Sequence, residues 1–192
     1  GPNSVAEKVD PFLTAVNGML YADDPEQGFI LGRTFAHPTL KLAFDAPQGF
    51  SLTNSPQAVL ISGPEGRALF SGGALPDQGG LAAYARAVMQ QTLGETQAQV
   101  GEVTSANIHG LAVAQLPARV QNSSGQIVDL SVTAYQFSAD QAFHFVSLAP
   151  QGQLSNLAPL LNSFRKLSDS EAAALRPRKI QLVTVGARDT VA

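Results

Sequence analysis

Apolar residues alternate with polar or small ones at Leu40, Leu42 and Phe44, the period-two pattern of a half-buried strand. The segments Ala58-Val59-Leu60-Ile61 and Arg67-Ala68-Leu69-Phe70 flank Gly63-Pro64-Glu65-Gly66 and predict a hairpin. The period then changes. Leu81, Tyr84, Ala85, Val88 and Leu93 fall on one face of a helix that Gly94 stops. Four strands follow, over 97–108, 111–120, 127–137 and 142–148, with turns at His109-Gly110, Asn122 to Gly125 and Ser138 to Gln141. Turns this short force antiparallel neighbours, because a parallel pair needs a crossover of about a dozen residues. In the third of these strands Val128, Leu130, Val132 and Ala134 form the expected buried face; Asp129, Ser131, Thr133 and Tyr135 form the other. A second helix carries Leu154, Leu157, Leu161 and Phe164. With Asn156 as N-cap, Pro159 falls in its first turn, where the missing N–H costs nothing.

Weaker signals flank this body. Phe12, Leu13, Val16, Met19 and Leu20 recur at helical spacing after Asp10-Pro11, a cap followed by proline at the first helical position. Asp23, Asp24, Pro25 and Gly28 read as loop. Ser168 and Glu171 have the spacing of a capping box that opens a short Ala-rich helix ended by Pro177, and 180–185 is a strand candidate. The expected organisation is a cleavage scar at 1–4, a linker helix and loop at 5–38, the domain at 39–167, and a short helix and strand at 168–192. The opening Gly1-Pro2-Asn3-Ser4 lacks Met, so the natural start and any export signal are expected to lie upstream. Strands and segregated helices together give an α+β fold, an antiparallel sheet sandwiched by helices.

Composition narrows the function classes. At 192 residues the chain is one domain of ordinary size, able to bury roughly 70% of its unfolded surface without a staple. With 44% hydrophobic and 14% charged residues it is not a disordered chain. A net charge of −3 argues against nucleic acid, although six of the twelve Lys and Arg lie from Arg165 onward. The absence of cysteine removes disulfides, thiolate metal sites and a thiol nucleophile. No run of about 18 apolar residues is present to span a membrane.

Candidate chemistry is sparse. A zinc peptidase needs two His at i and i+4 on a helix with a Glu between them as general base. The three His here, His37, His109 and His144, are dispersed. There is no G-x-S-x-G elbow and no phosphate loop; Gly72-Gly73 and Gly79-Gly80 lack a following Lys and read as flexible loop. Asp23 and Asp24 sit in a Pro-flanked stretch and read as solvated linker rather than a catalytic or calcium pair. Arg33 and His37 have two readings. They anchor the domain to a partner, or they cover the start of the sheet, with Pro38 holding His37 extended.

Two resemblances add to this. Gly32-Arg33-Thr34-Phe35-Ala36-His37-Pro38, preceded by Asn17 to Pro25 and followed by a P-x-G-F turn, resembles the region after the catalytic domain in bacterial H-E-x-x-H zinc metallopeptidases, relatives of the CAAX prenyl endopeptidases. The F-D-A-P-Q-G-F segment, the helix with Leu81 and Tyr84, the meander and Ser163 to Leu167 resemble PsbP-like domains. The tail V-T-V-G-A-R-D-T-V-A is similar to the opening of a LysM repeat, with Gly186 and Asp189 split by two residues. The resemblance implies a non-catalytic accessory domain that holds no metal or cofactor itself, with zinc in a catalytic domain outside this chain. It also implies a periplasmic or cell-envelope location. The implied partners are the enzyme's own catalytic domain, periplasmic protein substrates and envelope components. The alternative is a free-standing PsbP-like binding or adaptor protein.

Overall fold

A computed structural model describes residues 28–175. The helix expected at 12–20, Asp23 and Asp24, and the LysM-like tail lie outside the described residues. Strands β1 (Phe29–Leu31), β2 (Thr34–His37) and β3 (Leu42–Asp45) form an antiparallel sheet, and β12 (Arg165–Lys166) pairs on the far side of β3. Residues 29–37, expected within the connecting segment, are therefore strands. Packing explains the difference: Phe35 and Ala36 are buried, and the Phe35 ring stacks on Phe44 of β3 at 5.2 Å between centroids.

The main sheet has eight strands: β4 (Ser51–Asn54), β5 (Val59–Gly63), β6 (Gly66–Ala74), β7 (Ala98–Val100), β8 (Thr104–Ile108), β9 (Leu111–Gln121), β10 (Ile127–Gln136) and β11 (Gln141–Pro150). Its order is β4-β5-β6-β11-β10-β9-β7, with β8 also on β9, and every pairing is antiparallel. The Gly63–Gly66 hairpin and the three-turn meander stand where the pattern put them.

Two details differ. Gly72-Gly73, expected in a loop, continue β6 beside β11. Glycine suits the place because a Cβ on Gly72 would lie 2.6 Å from the Phe143 ring directly across the ladder. The single strand expected over 97–108 is split at 101–103 into β7 and β8. Pro117 explains the split: its carbonyl accepts from Gly101 N–H at 2.8 Å, so its missing N–H faces the break and no bond toward β10 is lost.

Helix α1 (Gly80–Leu93) covers one face of the sheet, between Gly79 and Gly94. A 3-10 turn (Leu154–Leu157) runs into α2 (Ala158–Ser163), which covers the other face together with the small sheet. The helix starts after Leu157 rather than Asn156, Pro159 is in its first turn, and Leu160 is fully buried where Leu154 and Leu161 are only partly so. With both faces covered, the one-sided burial expected for β10 does not occur: Val132 and Ala134 are buried under α1, and Thr133 and Tyr135 are buried on the opposite side. α3 (Asp169–Leu175) opens with the expected capping box. Ser168 Oγ accepts from Glu171 N–H at 3.1 Å, and Glu171 Oε1 accepts from Ser168 N–H at 2.9 Å.

Candidate functional site

Arg33 sits in the turn between β1 and β2. Its Nη1 donates to the Ala46 carbonyl at 2.8 Å, and Ala46 N–H donates back to the Arg33 carbonyl at 2.7 Å. His37 is 6% exposed at the end of β2, and its Nδ1 accepts the Leu40 N–H at 3.1 Å. Both side chains thus fasten backbone around the first strands.

The other two histidines stay apart. His109 occupies a left-handed turn position with φ 51° between β8 and β9. His144 is fully buried beneath α1, with Nδ1 and the Tyr84 hydroxyl 2.7 Å apart. Burial pushes the His144 pKa down to about 3, so the ring is neutral at physiological pH. Ser71 lies directly across the ladder from His144, and Ser71 Oγ and His144 Nε2 both lack a hydrogen-bond partner. A serine beside a histidine has the composition of a nucleophile and base, but this pair is sealed in the core with no path for a substrate. Among the described residues no three His, Asp or Glu come together as a metal site.

Two clefts lie at the end of the main sheet where β10 begins and β11 ends, one on each face. On the α2 side, a pocket of about 350 Å³ is lined by Arg119, Asp129, Pro117 and Leu154 among others. Its charges are already matched. Arg119 Nε donates to Asp129 Oδ1 at 2.8 Å, and Gly152 N–H donates to Asp129 Oδ2 at 2.8 Å. The hydrogen bond from Arg119 holds the Asp129 carboxyl below its ordinary range, and burial opposes this.

A second pocket, also about 350 Å³, is lined by Arg67, Gln126, Val128, Leu148 and Pro150 with the Gly63–Gly66 turn. In β6, Leu69 faces α1 and Ala68 the opposite side, so Arg67 projects on the α1 side, beyond the region α1 covers. Arg67 is half-buried and has no hydrogen bond or ion pair among the described residues. Its cross-strand neighbours are Ser62 and Leu148, so no acid lies opposite. The sequence reading passed over Arg67. The available signal was a lone cation inside an apolar strand run.

One more surface stands out. Ile30 and Leu31, 38% and 47% exposed, lie on β1, an edge strand of the small sheet among the described residues.

No protein-family model and no curated protein matches the chain. Solved structures do. The Saccharomyces cerevisiae Ran-binding protein Mog1p aligns with TM-score 0.52 and 10% identity, covering 74% of this chain and 98% of its own. A crystal structure from Bacteroides thetaiotaomicron aligns at TM-score 0.50 and 13% identity over 74% of this chain; the chain spans about half, 51%, of that protein. The solution structure of a cyanobacterial PsbP from Synechocystis aligns at TM-score 0.47 and 13% identity, covering 75% of this chain and 95% of its own. At these identities the likeness is one of fold. The α+β arrangement expected from the sequence, an antiparallel sheet covered by helices, is the one found, and Mog1p shares it.

Proposed function

We propose that this chain is a non-catalytic binding domain, the C-terminal accessory region of a zinc metallopeptidase of the periplasm or cell envelope. One observation carries the reading. The G-R-T-F-A-H-P motif that resembles those enzymes builds the first hairpin: Gly32 takes the turn with φ 63°, Arg33 clamps Ala46, and Phe35 and His37 are buried. In this reading the motif opens the first hairpin of the domain, whose strand β1 carries the exposed Ile30 and Leu31. That exposed strand edge is the contact we assign to the upstream catalytic domain, with Arg33 beside it. The fold is shared with a Ran-binding protein, which supports protein binding as its general use. In this reading the zinc of such an enzyme is held by an upstream domain; among the described residues no three His, Asp or Glu come together.

The test starts with the coding frame upstream of Val5, where an H-E-x-x-H motif is expected. The protein encoded by the whole frame is then assayed on casein with native residues and with Leu31→Asp. A drop in peptidase activity while the isolated domain variant keeps its melting temperature supports the contact. A frame with no such motif overturns the peptidase reading and leaves the free-standing PsbP-like adaptor, which would take periplasmic proteins or envelope components as partners.

A further inference from the structure

The two pockets at the open end of the main sheet share size and each holds one arginine, but only one arginine is answered. Arg119 is neutralised by Asp129. Arg67 has no acid partner among the described residues, and the nearby Glu65 has its Oε1 accepting from Asn156 Nδ2 at 3.3 Å. Arg67 is half-buried as a residue and lines the pocket with Val128, Leu148 and Pro150, with no counter-charge among the described residues, so a bound anion would supply the missing partner.

The exposed Gln126 lines the same pocket and offers a second donor. Asn122 Oδ1 accepts the N–H groups of Ser124 and Gln126, both at 2.9 Å, which fixes that amide's orientation. Asn122 Nδ2 must then be the end that meets Gln126 Oε1, at 3.2 Å. The Gln126 NH₂ is left turned away from this bond, and Gln126 lines the same pocket as Arg67. A planar fork, an amide donor and aliphatic walls match a planar monoanion with an apolar body. A phosphate dianion would need more positive charge than one arginine supplies.

We propose that the Arg67 pocket binds a carboxylate attached to a small aliphatic group, with the carboxylate on Arg67 and Gln126 and the aliphatic part against Val128 and Leu148. Two sources share this chemistry, the C-terminus of a polypeptide ending in an aliphatic residue and a free short-chain acid. The assignment is independent of the accessory-domain reading, which concerns the β1 edge, so either fails without the other.

Amide-resolved NMR titration of the whole chain tests it with three probes: acetyl-alanyl-leucine, the same dipeptide as its C-terminal amide, and isovalerate. The acid dipeptide is expected to shift Gly63, Gly66, Gln126 and Val128 with a Kd of about 1 mM, the affinity a small, open site supports. The amide should bind about tenfold more weakly, having lost the charge-assisted bonds. Arg67→Gln should abolish the shifts, and Arg67→Lys should weaken binding several-fold by losing the fork. Isovalerate binding as tightly as the dipeptide assigns the free acid; a tighter dipeptide assigns the chain end. Equal binding of acid and amide, shifts outside the pocket, native binding by Arg67→Gln, or no binding at about 20 mM would each overturn the proposal. If Arg67→Gln does not fold, the acid-against-amide comparison on the native chain still decides.

Discussion

On the α2 side of the main sheet, the rings of Phe44, Phe70, Phe143, Phe145, Phe164 and Tyr135 interlock beneath the small sheet. Phe70 sits among them with centroids at 4.8 Å from Phe44, 5.0 Å from Phe145, 5.5 Å from Phe143 and 5.6 Å from Phe164. On the other side, alanine, valine, leucine and methionine meet one helix, and a histidine is buried among them. That helix lies between glycines at positive φ, 88° at Gly79 and 55° at Gly94. The ring cluster is fastened by elements from both ends of the described chain, from Phe35 to Phe164, so no single element can shift alone. The α1 face depends on one local segment. It follows that the aromatic face should tolerate truncation worst and that the α1 face should adjust, carry the acid sensitivity, and leave room at its uncovered end for the Arg67 pocket.

The largest expected effect probes β10, which both faces share. Val132 is wholly buried under α1, while Ser131, the next residue, is only half-buried. Val132→Asp should cost about 4 kcal/mol or more, by burying an unpaired carboxylate, and Ser131→Asp about 1 kcal/mol. Urea denaturation measures both. A reversed order would mean that the strand is shifted by one residue and the two faces are exchanged, and equal costs that Ser131 is as closely covered as Val132.

Adjacent positions on β6 compare the faces directly. Phe70→Ala should cost about 3–5 kcal/mol, since the surrounding rings cannot close the cavity. Leu69→Ala, on the α1 side, should stay near 2–3 kcal/mol because the helix can settle. A Leu69→Ala cost matching that of Phe70→Ala would show α1 to be as rigid as the ring cluster.

Much of this arrangement was legible in the sequence, for identifiable reasons. The meander turns carry their own local chemistry at Asn122 to Gly125, and the Ser168–Glu171 box specifies a helix start by itself. What a one-dimensional pattern hides is long-range cover. Tyr135 and Thr133 read as an outward face because they share it with the polar Asp129 and Ser131, yet α2 and the small sheet arrive from elsewhere in the chain to bury them. Gly72-Gly73 read as loop because the ring that fills their place belongs to Phe143. Arg67 was silent for the same reason: an arginine is informative only once the absence of a partner can be seen.

Acid should weaken the α1 face through His144. The folded state holds this ring neutral, with its pKa down at about 3 against an ordinary 6.5. Below pH 6.5 the unfolded chain therefore takes up a proton that the folded chain refuses, and stability falls as pH falls. The slope is about 1.4 kcal/mol per pH unit, or about 2–3 kcal/mol between pH 6.5 and 4.5. The facing groups are Tyr84 from α1, Ser71 from β6 and Ala134 from β10, none charged in this window. Denaturation midpoints of the native chain and His144→Leu across that range decide the matter. The variant should lose most of the slope, and an unchanged slope would assign the acid sensitivity to another group.

The smallest effect has the opposite sign. Thr133 Oγ1 is buried on the aromatic side, and Ser71 Oγ is buried on the α1 side; neither has a hydrogen-bond partner among the described residues. Thr133→Val replaces the unpaired hydroxyl with a methyl of similar size among rings that exclude water, and should stabilise by about 0.5–1 kcal/mol. Ser71→Ala removes its hydroxyl and fills nothing, so the gain in desolvation is offset by lost contact and the net change should be about zero. The comparison is read as a difference in thermal midpoint, with Thr133→Val above the native chain and Ser71→Ala level with it. A destabilised Thr133→Val would mean that the hydroxyl is satisfied by a trapped water, and that the ring cluster is less dry than its packing implies.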